Sequence, residues 1–200
     1  SIFMEGKGDI SLLPSQIFTD KAGVIHSSGD KQSPWIGIAP FAAHKGKIYP
    51  IDKMEKVIQQ LIHTYPQVRL YLFGGGKEET DIMNQWAETY PQVINASSQL
   101  NGLAQELNLM SQLQLMISMD SGNMHLASLV NTPVISIWGA THPYAGFMGW
   151  NQDDANAVQV SLPCRPCSIY GNKPCLRGDY ACLNEIQPEE IINKVKFILQ

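Results

Sequence analysis

The sequence predicts an α/β protein built on a doubly wound, mainly parallel sheet. Two observations predict it. From Trp35 onward, short apolar runs rich in β-branched residues alternate with longer segments of helical periodicity, the order that builds strand, helix, strand units. Several of those runs are apolar at successive positions instead of alternating, which fits strands covered on both faces.

The candidate strands are WIGIAP (35–40), RLYLFG (69–74), QVINA (92–96), QLMISMD (114–120), PVISIWG (133–139) and AVQVSL (157–162). After the first of them, Met54, Val57, Ile58, Leu61 and Ile62 recur at spacings of three and four, the stripe of an amphipathic helix. Residues 77–89, 101–112 and 121–130 each supply a further helix. Residues 188–199 close the chain with another, Pro188 sitting in its first turn. Residues 1–34 do not join this rhythm, because Gly6, Gly8, Pro14, Gly23, Gly29 and Pro34 interrupt every apolar stretch. They read as a lead-in or interdomain segment. Residues 35–200 then form one Rossmann-like domain with a cysteine-containing loop at 164–182.

Composition narrows the function. The chain has 200 residues, 44% of them hydrophobic and 16% charged, enough to bury a sizeable core. Lys plus Arg number 14 against 18 Asp plus Glu, a net charge of -4. No global positive field therefore draws in nucleic acid or anionic lipid, and any anion site is local. No apolar run approaches the roughly 18 residues a membrane span needs, and the start, SIFMEGKGDI, lacks the order of a signal peptide. The expected compartment is the cytoplasm.

In a doubly wound sheet, ligands sit at the carboxyl ends of the strands, where helix N-termini point unpaired N–H groups outward. The most informative segment there is Met119-Asp120-Ser121-Gly122-Asn123-Met124-His125, which opens the apolar stretch LASLV. Asp120 or Ser121 can cap that helix, Gly122 lets a ligand approach the backbone, and the first-turn N–H groups suit a phosphate. His125, one turn in, can donate to the same anion. The plain alternative is a helix cap with a histidine packed on its own helix. A second segment, residues 39–50, crowds His44, Lys45 and Lys47 onto one loop of an acidic chain. It is either an anion-binding loop or a solvated basic one. A third, Phe73-Gly74-Gly75-Gly76-Lys77-Glu78-Glu79, has neither G-x-G-x-x-G spacing nor a Walker A string. Its glycines permit close approach of a ligand or simply turn the chain into the next helix.

Together these segments carry a resemblance. Asp120-Ser121-Gly122 with His125, Leu126-Ala127, Pro133 and Gly139-Ala140-Thr141-His142-Pro143 is similar to the D-[ST]-G-x-x-H-L-A…P…[FYW]-G-x-T-x-P signature of glycosyltransferase family nine, the bacterial heptosyltransferases. Lys47-Ile48-Tyr49-Pro50 resembles that family's K-x-W-P element, with Tyr49 in place of Trp, and Gly74 with Glu78 resembles its G-x-x-x-E segment. Cys182-Leu183, Ile186 and Pro188 resemble its C-terminal ending.

The resemblance implies the C-terminal, donor-binding half of a two-domain GT-B enzyme that transfers a sugar, heptose by preference, from an ADP-sugar to a lipid-linked lipopolysaccharide core. Lys47 would neutralise the diphosphate, Ser121, Gly122 and His125 would line its phosphates, and Asp120 would stand at the pocket mouth. Glu78 would help hold the nucleoside or sugar, and the adenine would lie near Leu100, Asn101 and Leu103. A carboxylate repels a diphosphate, so Asp120 is expected to cap its helix or to meet sugar hydroxyls. No catalytic residue is expected in this chain, since the general base would come from an N-terminal half that residues 1–34 cannot begin. The alternative is a nucleotide-binding module that transfers nothing. A peripheral contact with the inner face of the membrane is compatible with a lipid-linked acceptor.

No cofactor and no catalytic metal are expected. Lys47 and helix N-termini can carry the charge that develops on a leaving diphosphate, and Asp153-Asp154 lack the Asp-x-Asp spacing of a metal-dependent transferase. All four cysteines, Cys164, Cys167, Cys175 and Cys182, fall in one segment. Four thiolates could close a structural zinc site, but the later intervals form no second C-x2-4-C knuckle. Reduced, partly buried thiols are the preferred reading.

Overall fold

The computed structural model describes residues 33–200. The expected lead-in over 1–34 lies outside the described residues except for its last two. The strands are β1 (Trp35–Ala39), β2 (Arg69–Leu72), β3 (Val93–Asn95), β4 (Leu115–Met119), β5 (Val134–Ile137) and β6 (Ala157–Val158). They form one sheet in the order β3-β2-β1-β4-β5-β6, and every neighbouring pair is parallel. This is the doubly wound order, with the direction of winding reversing between β1 and β4.

Helices α1 (Ile51–Thr64), α2 (Lys77–Thr89), α3 (Leu103–Met110) and α4 (Gly122–Leu129) make the crossovers, and α5 (Ala181–Asn184) and α6 (Pro188–Ile198) end the chain. Strands β1, β4 and β5 are buried along their whole length, which is why their sequences read as unbroken apolar runs. Alternate side chains sort onto two cores. Ile36 and Ile38 join Met54, Val57, Ile58 and Leu61 of α1 and Ile191 and Val195 of α6 on one face. Trp35 and Ala39 join Leu109 and Met110 of α3 and Met124 and Ala127 of α4 on the other. Helix α6 begins with Pro188 and a capping box between Gln187 and Glu190.

Most element ends fall one or two residues inside the expected ranges, and three differences have a local cause. Strand β6 ends at Val158, four residues before the apolar run does; beyond it the Val160 carbonyl accepts from the Arg165 guanidinium instead of from a strand partner. Helix α3 starts at Leu103 instead of residue 101, since Gly102 stands at its N-cap with φ 87°. Helix α5 falls at the end of the expected cysteine loop, where Tyr180 O accepts from the N–H groups of Leu183 and Asn184. Four residues are too short to show a periodicity. Among the described residues no helix is long and apolar enough to cross a membrane.

Candidate functional site

The carboxyl ends of β1, β2 and β4 open onto a cavity of 290 Å³ at the reversal point of the sheet. Its walls are Phe41, Ala42 and Ala43 after β1, Gly74, Gly75 and Glu79 after β2, and Ser121, Gly122, Asn123 and Leu126 at the start of α4. The glycines bring backbone to the surface of the cavity, and a Cβ on either Gly75 or Gly122 would meet nothing within 4 Å. Ser121 is the N-cap of α4, yet it makes no side-chain cap bond. Its hydroxyl instead lies 3.3 Å from that of Ser118. The first-turn N–H groups of α4 therefore have no side-chain acceptor, and they carry the partial positive charge of the helix end toward the cavity wall.

Of the two roles expected for Asp120, capping its helix or meeting sugar hydroxyls, the first is not seen, since Ser121 is the N-cap of α4. Asp120 Oδ2 accepts a hydrogen bond of 2.7 Å from Thr141 Oγ1 and lies 3.1 Å from Lys47 Nζ. Asp120 is only 4% exposed and Thr141 is fully buried, so the carboxylate gains more from a cation and a hydroxyl donor below the rim than from the helix end. The ion pair joins the loops after β1 and β4, and the Thr141 hydrogen bond adds the loop after β5. A 3-10 turn at Lys45–Lys47 sets the direction of its lysine: Lys47 reaches inward, whereas Lys45 lies over the Tyr180 ring at 5.2 Å.

Other nominated residues lie elsewhere. Glu78 is exposed at the start of α2 and lines no part of the cavity. Its neighbour Glu79 does, its Oε2 accepting from Gly75 N at 2.8 Å. His125 is exposed in α4 and is not among the residues that line the cavity. Asn101 is exposed before α3, its N–H donating to Gln105 Oε1. Tyr49, which stands where the resembled motif has Trp, is fully buried, with its hydroxyl donating to the Ile186 carbonyl at 3.0 Å. It anchors the loop from below and does not face a ligand. Burial and the nearby carboxylates raise its pKa.

Sequence reasoning missed Glu79, Asn123, Thr141 and Arg165 as parts of the site or its support. Thr141 stood inside the G-x-T-x-P string, so its signal was present. Arg165 had none. Its guanidinium donates to the carbonyls of Gly139, Thr141 and Val160, tying the loops after β5 and β6 together. It also depresses the pKa of His142, an effect second to burial.

The four cysteines are free thiols, three half-buried and Cys182 buried. Cys167 Sγ donates to the Cys164 carbonyl at 3.2 Å. Burial pushes Cys182 up to about 11, the neighbouring thiols adding to the shift and Arg165 opposing it. The backbone N–H of Tyr180, with those of Arg177 and Gly178, draws Cys175 down. Among the described residues no three His, Cys, Asp or Glu side chains are grouped to hold a metal ion.

Fold and site together define a Rossmann-like α/β domain, the class that takes its ligands in a crevice at the reversal point of a parallel sheet. The chain belongs to glycosyltransferase family 9 (heptosyltransferase), whose family description matches residues 12–175. It is 26% identical over 137 residues to lipooligosaccharide heptosyltransferase 2 of Campylobacter jejuni, an alignment covering 66% of this chain and 41% of that protein. It shares its fold with the E. coli heptosyltransferase WaaC with ADP, at a TM-score of 0.60 and 17% identity, covering 84% of this chain and 45% of that one. A family 9 glycosyl transferase from Veillonella parvula superposes with a TM-score of 0.66 at 18% identity, covering 92% and 50%. The chain thus spans half the length, or less, of these relatives.

Proposed function

We propose that this domain is the donor-binding half of a glycosyltransferase that moves a sugar, heptose by preference, from an ADP-sugar to a lipid-linked lipopolysaccharide core. The observation that carries the reading is the Lys47–Asp120 ion pair standing beside the uncapped N-terminus of α4. A diphosphate laid on the N–H groups of Gly122 and Asn123 would be within the reach of Lys47, a charge-assisted contact. Ser121 would add its hydroxyl, and His125 would serve a distal phosphate oxygen from the outer rim.

The nucleoside would occupy the cavity between Phe41 and the Gly74-Gly75 turn. There Glu79, in the role first given to Glu78, would accept from ribose hydroxyls. Asn101 lies outside this arrangement. Asp120 keeps Lys47 extended and is poised to accept from a sugar hydroxyl. As the glycosidic bond breaks, negative charge grows on the leaving diphosphate, and the lysine with the helix end stabilises it where it forms. The general base that activates the acceptor would come from a second half, facing this crevice across a cleft. With a lipid-linked acceptor, the assembled enzyme would work against the inner face of the cytoplasmic membrane.

Titration calorimetry of the chain with ADP, UDP, GDP and adenosine tests the reading. ADP is expected to bind most tightly. If none of the diphosphates binds below millimolar concentration, the donor-site assignment fails.

A further inference from the structure

The cysteine-rich segment meets the lysine of the proposed site at Gly171. This residue adopts φ +71°, a left-handed conformation that favours glycine. A Cβ built on it would lie 2.7 Å from both Cγ and Cδ of Lys47 and 3.3 Å from Cγ2 of Thr141. Gly171 therefore packs its bare backbone against two of the three side chains in the Lys47, Asp120, Thr141 cluster. Its carbonyl oxygen lies 3.2 Å from where a Cβ on Gly46 would stand, so the segment also presses on the turn that carries Lys47.

The segment is held firmly enough to do this. Cys167 N donates to the Ala140 carbonyl at 2.8 Å. The guanidinium of Arg165 holds the carbonyls on both sides of that residue, Gly139 and Thr141. On the far side, the Tyr180 ring lies under Lys45. Gly171 is thus suspended between two anchors, directly over the lysine stem.

We propose that Gly171 is a positioning residue for Lys47: its lack of a side chain leaves the channel through which the lysine stem extends to Asp120 and onward to the diphosphate. The inference rests on the donor-site reading above and adds the cysteine segment to that site as the roof over its lysine. A side chain at 171 meets the flexible stem of Lys47 before it meets any backbone. The cheapest relief is for the lysine to swing away and abandon both Asp120 and the phosphate.

The test is a mutant cycle read by calorimetry with ADP and adenosine, on wild type, Gly171→Ala, Lys47→Ala and the double variant. Gly171→Ala is expected to weaken ADP binding about tenfold, the value of one lost charge-assisted contact, and to leave adenosine affinity unchanged. In the Lys47→Ala background the same substitution is expected to change nothing further. Gly171→Asn serves as a second variant, because Asn tolerates the left-handed region while still carrying a Cβ. Unchanged ADP affinity in the folded Gly171 variants overturns the proposal. So does a loss that persists without Lys47, or one shared by adenosine, since each marks a general structural role. Failure of wild type to bind ADP would instead remove the donor-site reading itself.

Discussion

Lys45 and Lys47 stand two residues apart on one loop, and their surroundings give them opposite tasks. Lys47 lies along the Gly171 backbone to a buried carboxylate, while Lys45 lies on an aromatic ring. Lys47→Ala is therefore expected to lower ADP affinity about 10- to 100-fold, and Lys45→Ala far less. Calorimetry at low salt reads both, and equal affinities for wild type and Lys47→Ala would take this lysine out of the site. Asp120 was expected to cap its helix or to meet sugar hydroxyls; in the structure its carboxylate holds Lys47 and Thr141. Asp120→Ala then strands a largely buried ammonium and an inward hydroxyl, a cost of about 1 to 3 kcal/mol in urea denaturation. Adding Lys47→Ala to that variant is expected to restore part of the loss, because the two residues share one interaction. Strict additivity would show that the pair contributes nothing to stability.

Among the elements, the C-terminal unit of α5 and α6 is fastened to α1 and to the loop before it. Tyr49 and Lys53 both donate to the Ile186 carbonyl, and Leu183 packs where any Cβ on Gly139 would collide at 2.6 Å. Cys182 is buried in this seam. Its folded pKa, about 11, lies above the ordinary 9.0, so folding favours the neutral thiol. Stability from this group is complete below the ordinary value. It drains away as pH rises, because the unfolded chain loses its proton first. The raised pKa of Tyr49 acts in the same direction from a higher starting point. The melting temperature is expected to fall as pH rises from about 9 to 11, and to fall less steeply in Cys182→Ala. Parallel pH profiles for the two proteins would show that this thiol stays equally ionised folded and unfolded.

At the scale of the molecule, the described residues form one parallel sheet, and the cavity at its reversal point is walled by the loops of this sheet. On the donor-half reading proposed above, glycosyl transfer needs both substrates and a general base held in attack geometry, which a single wall does not provide. The chain alone is thus expected to bind ADP-heptose but to give no turnover with a heptose-deficient lipopolysaccharide acceptor, whereas a version extended at its N-terminus turns over. Transfer by the 200-residue chain would refute the half-enzyme reading.

The order of elements, the two-faced burial of the central strands and the loops that meet at the reversal point were all legible in the sequence. Apolar runs without alternation, a stripe at three and four, and a glycine or aspartate just after β2, β4 and β5 are local patterns. They follow from covalent geometry and the solvation of individual side chains. The loop 39–50 and the segment 119–125 could be assigned to one edge for the same reason, since parallel strands put every such loop at the same end. What only the tertiary structure decided is which side chains meet there. Glu79 in place of Glu78 on the cavity wall is a matter of one residue's rotation on a helix. Asp120 turning from its own helix to Lys47 and Thr141 depends on loops more than twenty residues apart in each direction. Gly171 over Lys47 depends on the path of an irregular segment pinned by Arg165. Contacts of that kind have no periodicity to read. They are set by which buried charge finds the best partner once the chain has closed around it.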